Sequence, residues 1–309
     1  MHTSIADALV NGFGFDNPTV EDAGLGQGQT RRLIVTVGDQ KFMAKHFGDG
    51  SETGLANLEF ECLLLACLRA AKISAARNLP ARSGRAFAIV ENRPLMVYEW
   101  AEGGVEWPAS SEKAFALGST LAEMHLASDG LVLTGSERTY DIARLTDRPL
   151  ALLEPYAADH NEFTNLGRLT EVYKAQMAAI PIEAPYFGPI HGDIHQGNCH
   201  FQDDGRLTIL DFALCGVGYR AYDLTGFLWP MRDKTIEDQK MRTCCEAFLD
   251  GYESVRPLHP AEKLAIPAFV QIRSLWESGD WVDTGTGTQQ PNEVATTIPY
   301  LLKQFSAVS

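Results

Sequence analysis

No run of about eighteen apolar residues occurs anywhere in the sequence, so no transmembrane helix is available to it. The opening segment, MHTSIADALVNGFGF, lacks a basic leading stretch, an uninterrupted apolar run and a cleavage site, so it does not read as a signal peptide. No CxxC pair exists among Cys62, Cys67, Cys199, Cys215, Cys244 and Cys245, and the adjacent Cys244-Cys245 is not a zinc-ligand spacing. These thiols read as small buried apolar groups in a reducing compartment, which implies a cytoplasmic location. Basic runs with interleaved aromatics are also missing, and a net charge of -14 repels phosphate backbones, so nucleic acid is excluded as a partner and no membrane partner is expected. There is no HExxH motif, so His191, His195 and His200 do not make a zinc-hydrolase signature. Internal repeats and low-complexity segments are absent, and oligomeric state leaves no trace in the pattern.

What is present is an ordinary globular mix, 45% hydrophobic and 21% charged, in 309 residues, a length that suits two lobes better than one core. Residues 32–37 (RLIVTV) and 41–47 (KFMAKHF) are β-rich runs across a Gly38-Asp39 turn, which predicts a hairpin. Leu58, Cys62, Leu65 and Leu68 recur at helical spacing within 55–71. Residues 86–90 and 95–100 are again strand-like, with a turn over 91–94. After Gly103-Gly104 the texture becomes helical: 110–126, with Ser110 or Ser111 as N-cap and Phe115, Leu117, Leu121 and Met124 on one stripe, then 140–156, 161–179, 236–252, 259–277 and 292–306. Only 186–215 breaks this with turns and short β-runs. The expected fold is α+β and bilobal: a small β-rich lobe over 1–100, a linker near 99–104 and a larger, mostly helical lobe over 101–309.

The richest chemistry lies in Ile190-His191-Gly192-Asp193-Ile194-His195-Gln196-Gly197-Asn198, followed by Leu207-Thr208-Ile209-Leu210-Asp211-Phe212. Phosphoryl transfer from ATP needs a carboxylate to orient the attacking hydroxyl and accept its proton, plus oxygen ligands for magnesium. Asp193 suits the first role, and Asn198 with Asp211 suit the second. The interval from Asp193 to Asn198 equals that from the catalytic Asp to the metal-binding Asn in protein kinases, with a later strand delivering a second Asp.

In its HGDxHxxN form, this segment resembles the aminoglycoside phosphotransferase and choline kinase superfamily of small-molecule kinases, and the resemblance covers most of the chain. It implies a protein-kinase-like fold, ATP and magnesium as cofactors, and a small-molecule acceptor. Gly24-Leu25-Gly26-Gln27-Gly28-Gln29-Thr30 looks like the nucleotide-covering loop, with Gly26 and Gly28 admitting backbone amides to phosphates. Lys45 stands where the family places its phosphate-contacting lysine. Glu59 and Glu61 compete as its carboxylate partner but lie about 200° apart on a helical wheel. Glu61 shares the stripe of Leu58, Leu65 and Leu68 and takes the role. Val97-Tyr98-Glu99-Trp100-Ala101 looks like the hinge that receives adenine, through Glu99 and Ala101. Leu117-Gly118-Ser119-Thr120-Leu121-Ala122-Glu123-Met124-His125 resembles the superfamily's LGxxLAxLH helix, with His125 packed behind the catalytic loop. His191 and Asp223 take supporting roles. Where many relatives read Asp-Phe-Asp, this chain has Asp211-Phe212-Ala213, which removes an acidic group near the metal.

The acceptor is expected in the helical lobe, with Trp229, Arg232, Asp280, Trp281 and Asp283 as candidate contacts. Their acidic and aromatic character suits an amino sugar, amino alcohol or amino acid; an amino alcohol, sugar or homoserine-like metabolite is the favoured acceptor class. The competing expectations are an antibiotic-inactivating phosphotransferase, a non-catalytic nucleotide-binding pseudokinase, for which only Ala213 speaks, and a protein kinase, against which the His-Gly-Asp form and the missing APE-like segment speak.

Overall fold

A computed structural model of the chain describes residues 4–25, 30–48, 54–107, 109–134, 138–232, 239–284 and 291–306. Two compact units divide it, Met1–Glu102 and Gly103–Ser309.

The first unit is an antiparallel sheet with helices. Its strands are β1 (Thr19–Leu25), β2 (Arg31–Val37), β3 (Gln40–His46), β4 (Asn78–Leu79), β5 (Ala88–Val90) and β6 (Arg93–Glu99), in the order β1-β2-β3-β6-β4, with β5 on β6. Helix α1 (Ile5–Ala8) leads into a π-helical turn, Leu9–Phe13, and α2 (Leu55–Ala70) connects β3 to β4. Leu33 and Val35 alternate into a core with Leu9, Ala44, Val90, Leu95 and Val97. The stripe expected on α2 is buried as expected, at Leu58, Cys62, Leu65 and Leu68. The predicted hairpin forms, pairing Val37 with Gln40 around Gly38, whose φ of 58° suits a tight turn.

Two features differ from the expectation. The turn between β5 and β6 is two residues, not four. Glu91 and Asn92 both take left-handed φ values, 51° and 62°, as a type I′ turn requires, so Arg93 and Pro94 belong to the strand. The bounds of strand β1, implied only as a strand before the Gly-rich loop, were not legible, because every one of its residues is exposed and it carries no alternation.

The second unit holds α3 (Ser111–Ala127), β7 (Thr139–Tyr140), α4 (Arg148–Leu153), α5 (His160–Met177), β8 (Phe187–Ile190), β9 (Cys199–Phe201), β10 (Leu207–Ile209), β11 (Gly216–Tyr219), α6 (Arg220–Asp223), α7 (Thr225–Leu228), α8 (Gln239–Val255), α9 (Pro260–Thr284) and α10 (Pro291–Ser306). Its strands form a β9–β10 hairpin and a three-stranded β7-β11-β8 sheet. Ser110 caps α3 by accepting from Lys113 N at 3.3 Å. Phe115, placed on the buried stripe by spacing, is 42% exposed, whereas Leu117, Leu121 and Met124 are buried. The helix expected over 140–156 is broken into β7, a π-helical turn, α4 and a 3₁₀ turn, because Tyr140 is drawn into the sheet beside β11. Leu166, Leu169 and Tyr173 of α5 pack with Phe269, Ile272 and Trp276 of α9 and Leu301 and Phe305 of α10 in one core. No helix among the described residues is long and apolar enough to cross a membrane.

Helices α3 and α8 meet backbone to backbone. A Cβ on Gly118 would lie 2.0 Å from the Phe248 carbonyl oxygen, and one on Gly251 would lie 2.0 Å from that of Phe115. Each helix thus gives up one side chain where the other crosses. That contact brings His125, in the last turn of α3, against Tyr252 of α8.

Candidate active site

Asp193 sits in the loop between β8 and β9, and its shape follows from Gly192. With φ at 83° and the Leu214 carbonyl oxygen only 2.1 Å from where a Cβ would stand, that position admits only glycine. The loop is held from beneath by Asp223 at the end of α6. Asp223 Oδ2 accepts from His191 N at 2.8 Å, and Oδ1 accepts from Gly192 N at 2.7 Å. His191 then reaches forward: its Nε2 donates to the Leu210 carbonyl at 2.8 Å, its Nδ1 accepts from Asp193 N at 3.2 Å, and its ring packs 4.5 Å from Phe212.

Asn198 and Asp211 are brought together by the β9–β10 hairpin. Ile209 pairs with Cys199 and Leu210 N donates to the Asn198 carbonyl at 2.8 Å, so the residue before β9 and the segment after β10 lie side by side. Asn198 Nδ2 donates to the Asp193 carbonyl at 2.9 Å and to Asp193 Oδ2 at 3.2 Å, which leaves its amide oxygen uncommitted to that loop. Asp211 holds a left-handed backbone (φ 58°, ψ 66°), a conformation that costs energy in a non-glycine residue and that clusters at functional sites. Among the described residues, no group of three His, Cys, Asp or Glu could hold a metal by itself. An amide and a carboxylate fit magnesium, which takes few protein ligands and completes its shell with phosphates and water.

The carboxyl of Asp193 is pushed up by burial. The hydrogen bond from His195 and the charge of Arg273 outweigh that push and hold it below the usual carboxylate range. Arg273 Nη2 donates to Asp193 Oδ1, and His195 Nε2 stands 3.5 Å from Oδ2. In front of this carboxylate opens a cavity of about 830 Å³, whose walls include Asp193, His195, Trp107, Trp229, Glu277 and Trp281. Trp229 and Trp281, two of the sequence candidates, line it; Trp107, Arg273 and Glu277 went unseen in the sequence. Arg273, Glu277 and Trp281 repeat every fourth residue on α9, a pattern that ordinarily marks a solvated helix face. Asp280 and Asp283 do not line the cavity. Asp283 pairs with Arg148, and Asp280 lies near Arg138, Arg144 and Arg148, with burial pushing its carboxyl up against their pull. Arg232 ends the 3₁₀ turn Trp229–Arg232 beside the cavity wall.

In the first unit, Tyr98 gathers the predicted residues. Its hydroxyl donates to Glu61 Oε1 at 2.7 Å, and Lys45 Nζ lies 5.6 Å from the centre of its ring, so β3, α2 and β6 meet there. Glu61 is 1% exposed. Glu99, at the end of β6, pairs with Arg69 at 3.4 Å and Arg77 at 3.7 Å, and its N–H donates to the Arg77 carbonyl at 2.8 Å; Ala101 follows in extended chain. Gly26 and Gly28 lie outside the described residues.

The antiparallel sheet of the first unit and the mostly helical second unit are those of a protein-kinase-like fold, which carries Asp193, Asn198 and Asp211 on one loop and one hairpin. The model of the phosphotransferase enzyme family matches residues 19–258, and the chain belongs to that family. The homoserine kinase of Gluconobacter oxydans (strain 621H) is 32% identical over 217 residues, covering 66% of this chain and 65% of its own. Among solved structures, an amicoumacin kinase in complex with AMP-PNP, Ca²⁺ and its ligand superposes with a TM-score of 0.77 at 16% identity, covering 99% of this chain and 93% of that one. A microcompartment-associated aminopropanol kinase superposes at 0.76 with 19% identity, covering 98% and 95%. These structures share the protein-kinase-like fold.

Proposed function

We propose that the chain moves the γ-phosphoryl group of ATP, with magnesium, to a hydroxyl of a small molecule. Asp193 orients that hydroxyl and takes its proton, and Asn198 with Asp211 hold the magnesium, which would neutralise phosphate charge. Lys45, oriented by Glu61, meets the phosphates; Gly26 and Gly28 cover them; Glu99 and Ala101 receive adenine through their main chain. Residues 1–100 act as the nucleotide-binding lobe and 101–309 as the catalytic and acceptor-binding lobe. His191 and Asp223 support the catalytic loop, and the six free thiols suit a cytoplasmic setting.

The observation that carries this reading is the joint placement of Asp193, Asn198 and the Asp211 segment by two backbone-anchored turns, with an open cavity before the carboxylate. Catalysis by such a site is positioning and charge neutralisation. Indole faces and the Glu277 carboxylate suit an acceptor that carries an ammonium group. This favours an amino alcohol or homoserine-like metabolite over a neutral sugar, and the likeness to a homoserine kinase supports a metabolic acceptor over an antibiotic. The test is ADP release with magnesium and ATP across amino alcohols, L-homoserine, sugars and aminoglycosides. Acceptor-dependent release supports the reading. Nucleotide binding without turnover on any acceptor would favour a pseudokinase.

A further inference from the structure

Arg273 is 4% exposed in the middle of α9, and each of its three nitrogens donates to a protein oxygen. Nη2 meets Asp193 Oδ1, Nη1 meets the Gly192 carbonyl at 3.2 Å, and Nε meets Glu277 Oε1 at 3.0 Å. The guanidinium carbon lies 5.9 Å from the centre of the Trp229 ring. A guanidinium is planar and rigid, so one that grips both a backbone carbonyl and the next residue's carboxylate fixes that carboxylate relative to its own loop. Glu277 and Trp229 in turn fix the guanidinium, and both line the acceptor cavity.

We infer that Arg273 is a positioning residue for phosphoryl transfer, pinning Asp193 Oδ1 so that Oδ2 is the oxygen presented to the acceptor hydroxyl. The inference rests on the phosphotransferase reading. Oδ2 has Asn198 Nδ2 at 3.2 Å and pocket-lining His195 Nε2 at 3.5 Å, so both carboxylate oxygens have partners. A cation on Oδ1 weakens Asp193 as a base. In phosphoryl transfer that loss is small beside the gain, because the transition state is loose and what the base supplies is orientation. Displacement of a reacting group by about 1 Å costs about 10²-fold. The same cation reduces the repulsion between Asp193 and the phosphoryl oxygens.

The test is steady-state kinetics of wild type, Arg273→Lys and Arg273→Ala with magnesium and ATP. The acceptor is 1-amino-2-propanol or L-homoserine, or water where neither is used. Lysine keeps the buried charge but cannot fork, so Arg273→Lys is expected to lose about 10²-fold in kcat with KM for ATP nearly unchanged. Arg273→Ala is expected to fall further and to recover in part with added guanidinium at sub-denaturing concentration, which a merely structural role would not produce. An unchanged kcat in Arg273→Lys, or a raised acceptor KM at constant kcat, would overturn the inference while leaving the phosphotransferase reading intact. So would an Arg273→Ala protein that binds ATP yet ignores guanidinium; if that variant does not fold, Arg273→Lys decides alone. A wild type silent toward every acceptor and water would reject the phosphotransferase reading and this inference together.

Discussion

His125 Nε2 donates to Asp223 Oδ2 at 3.0 Å, tying the α3 motif to the carboxylate that holds the His191–Asp193 loop. The direction of each bond in this chain is fixed. Arg256 Nη1 only donates, so the Tyr252 hydroxyl accepts from it at 3.2 Å and gives its own proton to His125 Nδ1 at 2.8 Å. His125 is therefore neutral with its proton on Nε2, and Asp223 is free to accept three N–H groups. Burial pushes His125 down to about 4, against the pull of Asp223.

That depression has a sign. Between the usual value of 6.5 and about 4, the unfolded chain takes up a proton that the folded chain refuses, so stability falls as pH falls through this window. The loss from this group approaches ~3 kcal/mol at its acid end. Asp223, pushed up by burial but held below its usual range chiefly by the hydrogen bond from His125, adds a loss of the same sign at still lower pH. Urea midpoints measured at pH 7.5, 6.5, 5.5 and 4.5 are expected to drop more steeply for wild type than for His125→Gln. Parallel pH profiles would contradict this.

Asp223→Asn keeps the shape but turns an amide toward three donors. The expected loss is about 1–3 kcal/mol of stability, the cost of a buried donor left without its acceptor, and about 10²-fold in kcat, since His191 and Gly192 carry the backbone that aims Asp193. Denaturant unfolding and steady-state kinetics read the two effects. A variant with wild-type kcat would show that the loop holds itself.

The grouping of Asp193, Asn198 and Asp211 was legible because they occur in order at intervals that one loop and one hairpin must honour, and the structure carries them on that loop and hairpin. The β2–β3 hairpin and α2 were legible because alternation and helical spacing coincide with burial there. Strand β1 was not, since it pairs through its backbone at an exposed edge and no side-chain pattern marks it. The segment after Tyr140 was misread as one helix because its apolar spacing serves a strand, a π-helical turn and α4 in succession. Arg273 and Glu277 were invisible for a different reason. Arg273 bonds to a loop 80 residues earlier in the chain, with Glu277 bonded to its Nε, and nothing in a helical Arg–Glu pair distinguishes a buried one from a solvated one. Asp280 and Asp283, which looked like acceptor contacts, neighbour Arg148 of α4 instead.

Where α3 and α8 cross, Gly118→Ala would drive a methyl to 2.0 Å from the Phe248 carbonyl oxygen. The helices must part, at an expected cost of about 3 kcal/mol, and His125 moves with them. Thermal melting checks the stability, and a variant as stable as wild type would mean that the helices can separate freely.

Glu277→Gln keeps an acceptor for Arg273 Nε but removes a charge from the cavity wall. For an ammonium-bearing acceptor, KM is expected to rise about tenfold, close to 1.4 kcal/mol, with KM for ATP unchanged. Equal KM values in the two proteins would place the acceptor elsewhere.

The most direct measurement compares acceptor-stimulated ADP release by wild type and by Asp193→Asn, with ATP binding followed in parallel. Release that depends on the acceptor in wild type and collapses in the variant, while both proteins bind ATP with similar affinity, is the expected result. Equal release by the two proteins would contradict the assignment of Asp193 as the base.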